Sequence, residues 1–135
     1  MTTSRPLAPR VLVVEDEPFI AFLVADQLAE LGYTIVGPAF SLDEARRFAA
    51  TGQIDLAVLD FELAGVFADD IADILIRRKI PFLFVTGHDE SSFPAYCDIP
   101  FLKKPFLSSA LQNAIEALRA QNERDCGEGS NKIHV

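Results

Sequence analysis

The sequence predicts an α/β fold, a doubly wound five-stranded parallel sheet with helices on both faces, and three observations carry the prediction. Short apolar runs alternate with stretches whose apolar residues recur every three or four positions, the pattern of strands exchanging with amphipathic helices. The run Ile54-Asp55-Leu56-Ala57-Val58-Leu59-Asp60 is nearly continuous in apolar character until its final carboxylate, which suits a strand covered on both faces. Three other runs also stop on polar residues: Val11 to Val14 at Glu15-Asp16-Glu17, Phe82 to Val85 at Thr86-Gly87, and Phe101 to Lys103 at Lys104-Pro105. Ligands of open α/β sheets collect beyond the carboxyl ends of the strands, so these four ends make one site centred on Asp60.

Taken in order, residues 1–9 read as a loose arm, 10–120 as the domain, and 121–135 as a polar, frayed tail. Strand one spans Arg10 to Val14. Pro18 suits a first helical position, Ile20, Leu23, Val24, Leu28 and Leu31 form a stripe, and Gly32 stops the helix. Tyr33 to Gly37 is a β-branched strand, and Ser41 with Glu44 forms a capping box before the stripe Leu42, Ala45, Phe48 and Ala49. Strand three runs from Ile54 to Asp60, and Glu62 to Gly65 reads as a loop. The third helix carries Ile71, Ile74 and Leu75, with Asp69 and Asp70 at its start and Arg77-Arg78-Lys79 at its end, as the helix dipole favours. Ile80 to Val85 is strand four, His88 to Asp98 lacks helical periodicity, and Ile99 to Lys103 is strand five. Leu107, Leu111, Ala114, Ile115 and Leu118 mark the last helix. Right-handed crossovers then favour the flavodoxin-like strand order 2-1-3-4-5, with a short or missing fourth helix.

The bulk numbers exclude several classes. A chain of 135 residues is one domain's worth. Twelve basic against 20 acidic residues give a net charge of −8, which disfavours nucleic acid as a partner, and the expectation from this sequence is a domain with no DNA-binding module after it. Cys97 and Cys126 lack metal-ligand spacing and read as free thiols. The N-terminus has no apolar signal core, and no apolar run approaches the ~20 residues that span a bilayer. These features predict a cytoplasmic protein with no membrane partner.

Carboxylates converging at strand ends repel one another unless a cation joins them. Glu15, Asp16 and Asp60 offer hard oxygens, which suits Mg²⁺, or Mn²⁺ in its place. A carboxylate, a hard cation, a lysine and a hydroxyl together form a phosphoryl-transfer set, with Asp60 as the acceptor that becomes an acyl phosphate.

The pieces Val11 to Pro18, Asp55 to Asp60, Phe84-Val85-Thr86-Gly87 and Leu102-Lys103-Lys104-Pro105-Phe106 resemble, in this order, the receiver domains of two-component response regulators. The resemblance covers roughly residues 10–120. It implies that Asp60 is the phosphorylated aspartate, Glu15 and Asp16 the metal-binding acids, and Glu62 the residue whose backbone carbonyl completes the metal set. It makes Thr86 the switch hydroxyl, Phe101 the aromatic switch residue, and Lys104 the phosphate-pairing lysine. Lys103 points the other way by strand alternation. A cis Lys104–Pro105 peptide is implied too. The resemblance also implies that Glu62 and His88 occupy positions that in this family often tune the lifetime of the phosphoryl group.

Pro81-Phe82-Leu83-Phe84-Val85-Thr86-Gly87 is similar to the Pro-Phe-x-Phe-x-Thr-Gly signature of stand-alone alphaproteobacterial receivers with a degenerate fourth helix. The sequence departs from the receiver pattern at Glu15, where aspartate is commoner, at Ala64, where proline is frequent, and at Phe101, often tyrosine. The implied function is that of a stand-alone regulator, not an enzyme. It would take phosphate from a sensor histidine kinase or a phosphotransfer protein and signal to a downstream protein, as a monomer or weak dimer. The rival reading is a Mg²⁺-dependent phospho-aspartate phosphatase or phosphotransferase, which would want an aspartate where Glu62 stands. A flavodoxin-like flavin binder lacks the phosphate-cradling loop after strand one.

Overall fold

The computed structural model describes residues 8–87, 96 and 98–128. In chain order they form β1 (Arg10–Val14), α1 (Pro18–Glu30), β2 (Thr34–Ala39), α2 (Leu42–Thr51), β3 (Leu56–Asp60), β4 (Glu62–Leu63), β5 (Val66–Phe67), α3 (Asp69–Arg77), β6 (Phe82–Thr86), β7 (Phe101–Lys103) and α4 (Ser108–Glu128). Five strands pair in parallel in the order β2-β1-β3-β6-β7, which is the predicted 2-1-3-4-5 of the main strands. The four helices among the described residues fit the short or missing fourth helix. Most of the segment that would hold it, residues 88–95 and 97, lies outside the described residues, as do residues 1–7 of the expected arm.

Strand alternation divides the interior into two cores. Leu12, Val14, Ala57, Leu59, Phe82 and Phe84 face α2 and α3, meeting Ala45, Ala49, Ile71, Ala72 and Leu75. Val11, Val13, Leu56, Val58, Leu83 and Val85 face α1 and α4, meeting Val24, Leu28, Leu111 and Ile115. Every residue of β3 and β6 is buried, so the centre of the sheet is covered on both sides. That is why these strands read as continuous apolar runs.

Several local expectations are corrected. Leu23 is 54% exposed and Leu107, which precedes α4, is 74% exposed, so neither belongs to the buried stripe assigned to it. Small Ala21 and Ala25 take the inner face of α1 beside Val24 and Leu28. The expected frayed tail is helical as far as Glu128, and its Gln, Glu and Arg residues are good helix formers. Residues 129–135 of that tail lie outside the described residues.

Strand β2 continues through a cis Gly37–Pro38 peptide to Ala39, where the β1 register shifts. Gly37 is required there: its φ is +95°, and a Cβ would come within 2.8 Å of Ala39 N. Residues 62–65, expected to be loop, instead join Val66 and Phe67 in the antiparallel β4–β5 hairpin, with Glu62 opposite Phe67 and Leu63 opposite Val66. Its two-residue turn, Ala64-Gly65, has positive φ at both positions, the mirror-image turn whose twist matches paired strands.

Candidate functional site

Each site residue sits where a strand of the sheet runs out. The ladder continues one residue past β1, with Glu15 N–H donating to Ala39 O at 3.0 Å, and this brings Glu15 inward and leaves it 3% exposed. Asp60 ends β3 and is 5% exposed, and Thr86 ends β6 at 1%. Past β7, Lys104 N–H donates to Thr86 O at 2.7 Å, fixing the start of the lysine side chain. The Lys104–Pro105 peptide is cis, as the resemblance implied. Alternation leaves Lys103 exposed and turns Lys104 into the site.

The side chains converge. Lys104 Nζ lies 3.0 Å from Glu15 Oε1 and 3.0 Å from Asp60 Oδ2. Asp60 Oδ1 accepts from Glu62 N–H at 3.1 Å, and Asp16 Oδ2 accepts from Ala64 N–H at 2.9 Å. Glu15 Oε2 accepts from Glu17 N–H at 3.3 Å. Thr86 and Gly87 complete the wall of an open crevice of about 390 Å³. Phe101 is half-buried against the core beneath α2 and α3. Of the predicted residues, Phe101 does not line the crevice, and His88 lies outside the described residues.

Two acids share one ammonium, and the electrostatics show the strain. Burial first, and then the charge of Asp60, push the Glu15 carboxyl up to about 7, against the opposing pull of Lys104. Burial works against the Lys104 charge, but its hydrogen bonds to Glu15 and Asp60 outweigh that and raise its pKa. Glu15, Asp16 and Asp60 each present an oxygen within 4.8 Å of the others. Three carboxylates against one lysine leave the cluster formally negative, and the donors are all hard oxygens, so the residues fit a divalent cation such as Mg²⁺.

A doubly wound domain with its acids gathered past the carboxyl edge of the sheet is a crevice-binding α/β protein, and comparison with known proteins narrows the class. The response regulator receiver domain model matches residues 11–116, and the chain belongs to that family. It is 33% identical over 112 residues to the transcriptional regulatory protein PdtaR of Mycobacterium tuberculosis, covering 79% of this chain and 55% of that protein. The chain spans about half the length of the curated relatives PdtaR and PhyR of Methylorubrum extorquens.

Among solved structures, that of SdrG from Sphingomonas melonis Fr1 is 36% identical with a TM-score of 0.73, covering 84% of this chain and 98% of that one. The response regulator PhyR from Brucella abortus aligns at 27% identity and a TM-score of 0.81, over 96% of this chain and 55% of that one. The family places the chain among two-component signalling proteins and does not favour the phosphatase reading. Among the described residues, no helix is long and apolar enough to cross a membrane.

Sequence reasoning missed the β4–β5 hairpin and with it the Ala64 amide. A signal was present: Ala64-Gly65, a small residue followed by glycine, separates apolar Leu63 from apolar Val66, as a tight hairpin turn requires.

Proposed function

We propose that the chain accepts a phosphoryl group on Asp60 from the phosphohistidine of a sensor histidine kinase or a phosphotransfer protein, in a Mg²⁺- or Mn²⁺-dependent reaction. The observation that carries this reading is the single Lys104 ammonium held 3.0 Å from both Asp60 and the buried Glu15. Glu15, Asp16, Asp60 and the carbonyl of Glu62 would hold the cation. When bound, it offsets charge on the phosphoryl oxygens.

The chain's own residues do the rest. Glu62 N–H and Lys104 Nζ hold one Asp60 oxygen each, so the carboxylate is fixed in orientation before the donor arrives. As an Asp60 oxygen forms its bond to phosphorus, the phosphorus–nitrogen bond breaks and its electron pair returns to the imidazole, leaving an acyl phosphate. Lys104 then pairs with a phosphoryl oxygen and Thr86 supplies a hydroxyl to another. Thr86 and Phe101 act as the switch, and a downstream protein reads the shifted population by direct contact or onward phosphotransfer.

At the edge of the crevice, α1 exposes Phe19, Phe22 and Leu23 within two turns of Glu17, an apolar surface on which a donor protein can seat. Glu62 and His88 set the lifetime of the acyl phosphate by controlling the approach of water. Glu62 lines the crevice.

Incubation with acetyl phosphate and Mg²⁺, followed by intact-mass and peptide mapping, tests the reading. One phosphoryl group per chain on Asp60 is expected, and none in Asp60→Asn. Labelling that persists in that variant, or many turnovers of varied phosphate esters, would overturn it. Glu62→Ala is expected to change the half-life of the acyl phosphate, and an unchanged half-life would remove that role.

A further inference from the structure

The geometry points to Ala64 as a positioning residue for the cation: its backbone N–H, presented by the β4–β5 turn, sets the orientation in which Asp16 receives a divalent ion. The inference rests on the proposed function, since it assumes that Glu15, Asp16 and Asp60 form the cation site.

Asp16 is the most exposed of the three acids, standing in the connection between β1 and α1. The bond from Ala64 N–H to Asp16 Oδ2 at 2.9 Å joins residues 48 apart in sequence. A carboxylate with one oxygen held by an amide keeps its other oxygen open to a cation, and loses the rotational freedom that metal binding would otherwise have to remove. The amide is aimed by an unusual backbone. Ala64 sits at φ +51° and Gly65 at +83°, and alanine, unlike glycine, adopts the left-handed region only at an energetic cost.

The hairpin that enforces this geometry is firmly seated. Leu63 is 2% exposed, Phe67 packs on Phe61 with ring centroids 5.3 Å apart, and Ala68 N–H donates to Phe61 O at 2.7 Å. The same hairpin supplies Glu62 N–H to Asp60. One short element therefore orients two of the three acids through its main chain.

Proline at position 64 has no N–H and a φ fixed near −65°, so this turn excludes it on both counts. A residue other than proline, where the receiver pattern often has proline, is thus a requirement of this arrangement.

The test measures Mg²⁺ affinity by calorimetry on the full chain, well below its melting temperature in EDTA. Ala64→Gly keeps the amide and relaxes the backbone, and is expected to bind Mg²⁺ within about twofold of the parent. Replacing Ala64 by lactic acid exchanges only N–H for an ester oxygen, and Ala64→Pro removes the amide and the turn. Both are expected to weaken Mg²⁺ binding by about tenfold or more. Melting in EDTA confirms that the ester and glycine variants are folded, so the comparison stands even if the proline variant is not. Parental affinity in the ester variant would overturn the role of Ala64 while leaving the acid site intact. A parent chain that binds no Mg²⁺ at millimolar concentration would overturn the acid site and this inference together.

Discussion

Glu15 and Lys104 form a 3.0 Å ion pair although two strands, β3 and β6, lie between β1 and β7 in the sheet. The long lysine reaches across those strand ends and meets Asp60, which ends β3, on the way. A charge contact of this span makes the site sensitive to proton, cation and substitution alike.

Proton uptake is the first consequence. The Glu15 carboxyl rises from an ordinary 4.5 to about 7, so the folded chain binds this proton more tightly than the unfolded chain. The associated stability is fully present below about 4.5 and is lost as pH climbs through about 7. Thermal melts in EDTA are therefore expected to show this contribution shrinking between about pH 5 and pH 8, and Mg²⁺ to stabilise increasingly over the same range as the carboxylate becomes available. An Mg²⁺ effect that is constant with pH would contradict this.

Substitution at the ion pair separates repulsion from attraction. Asp60→Asn removes one of the two carboxylates that compete for Lys104. In EDTA at about pH 8 it is expected to melt ~3–5 °C above the parent, about 1 kcal/mol, and to lose the advantage near pH 5 where Glu15 holds its proton. Lys104→Ala should do the reverse, lowering the melting temperature by leaving both acids uncompensated.

The aromatic cluster behind the site gives a third prediction. Phe61, which follows Asp60, packs edge-on against Phe84 at 5.0 Å and Tyr96 at 5.8 Å, and Tyr96 also meets Phe84 at 5.4 Å. Tyr96 Oη donates to Asp73 at 3.3 Å, and burial with the neighbouring acids pushes its phenol up to about 12. Tyr96→Phe keeps the ring contacts and should cost under ~1 kcal/mol. Tyr96→Ala loses two aromatic contacts and should cost about 1–3 kcal/mol in urea unfolding.

At the start of α2, Ser41 Oγ accepts from Glu44 N–H at 3.2 Å. Glu44 Oε1 reaches back to Phe40 N–H at 2.9 Å, one residue before the cap itself. Ser41→Ala is expected to cost about 1 kcal/mol by chemical denaturation without changing Mg²⁺ affinity, because α2 lies away from the crevice.

Most of this architecture was legible in the sequence because its signals are dense and local. The buried strands β3 and β6 are too apolar to be anything else, and their polar terminal residues Asp60 and Thr86 mark the site. Lys104 was separable from Lys103 by alternation and the following proline. What escaped depends on the main chain and on three-dimensional neighbours. Leu23 and Leu107 fit a helical stripe by spacing, yet which way a leucine faces is decided by what the tertiary structure sets beside it. The hydrogen bond from Ala64 to Asp16 involves an amide that every residue but proline carries, so no side chain announces it. The extension of β2 through Pro38 to Ala39 was likewise hidden, because a proline more often ends a strand than continues it.

The strand that delivers Lys104 is only three residues long and, among the described residues, forms one margin of the sheet, paired to β6 alone. An anion captured by the ammonium would also fasten that margin, slowing the fraying natural to an outermost strand. The amides of residues 101–103 thereby become a built-in gauge: their hydrogen-exchange rates should register what happens at Asp60 from the far border of the molecule.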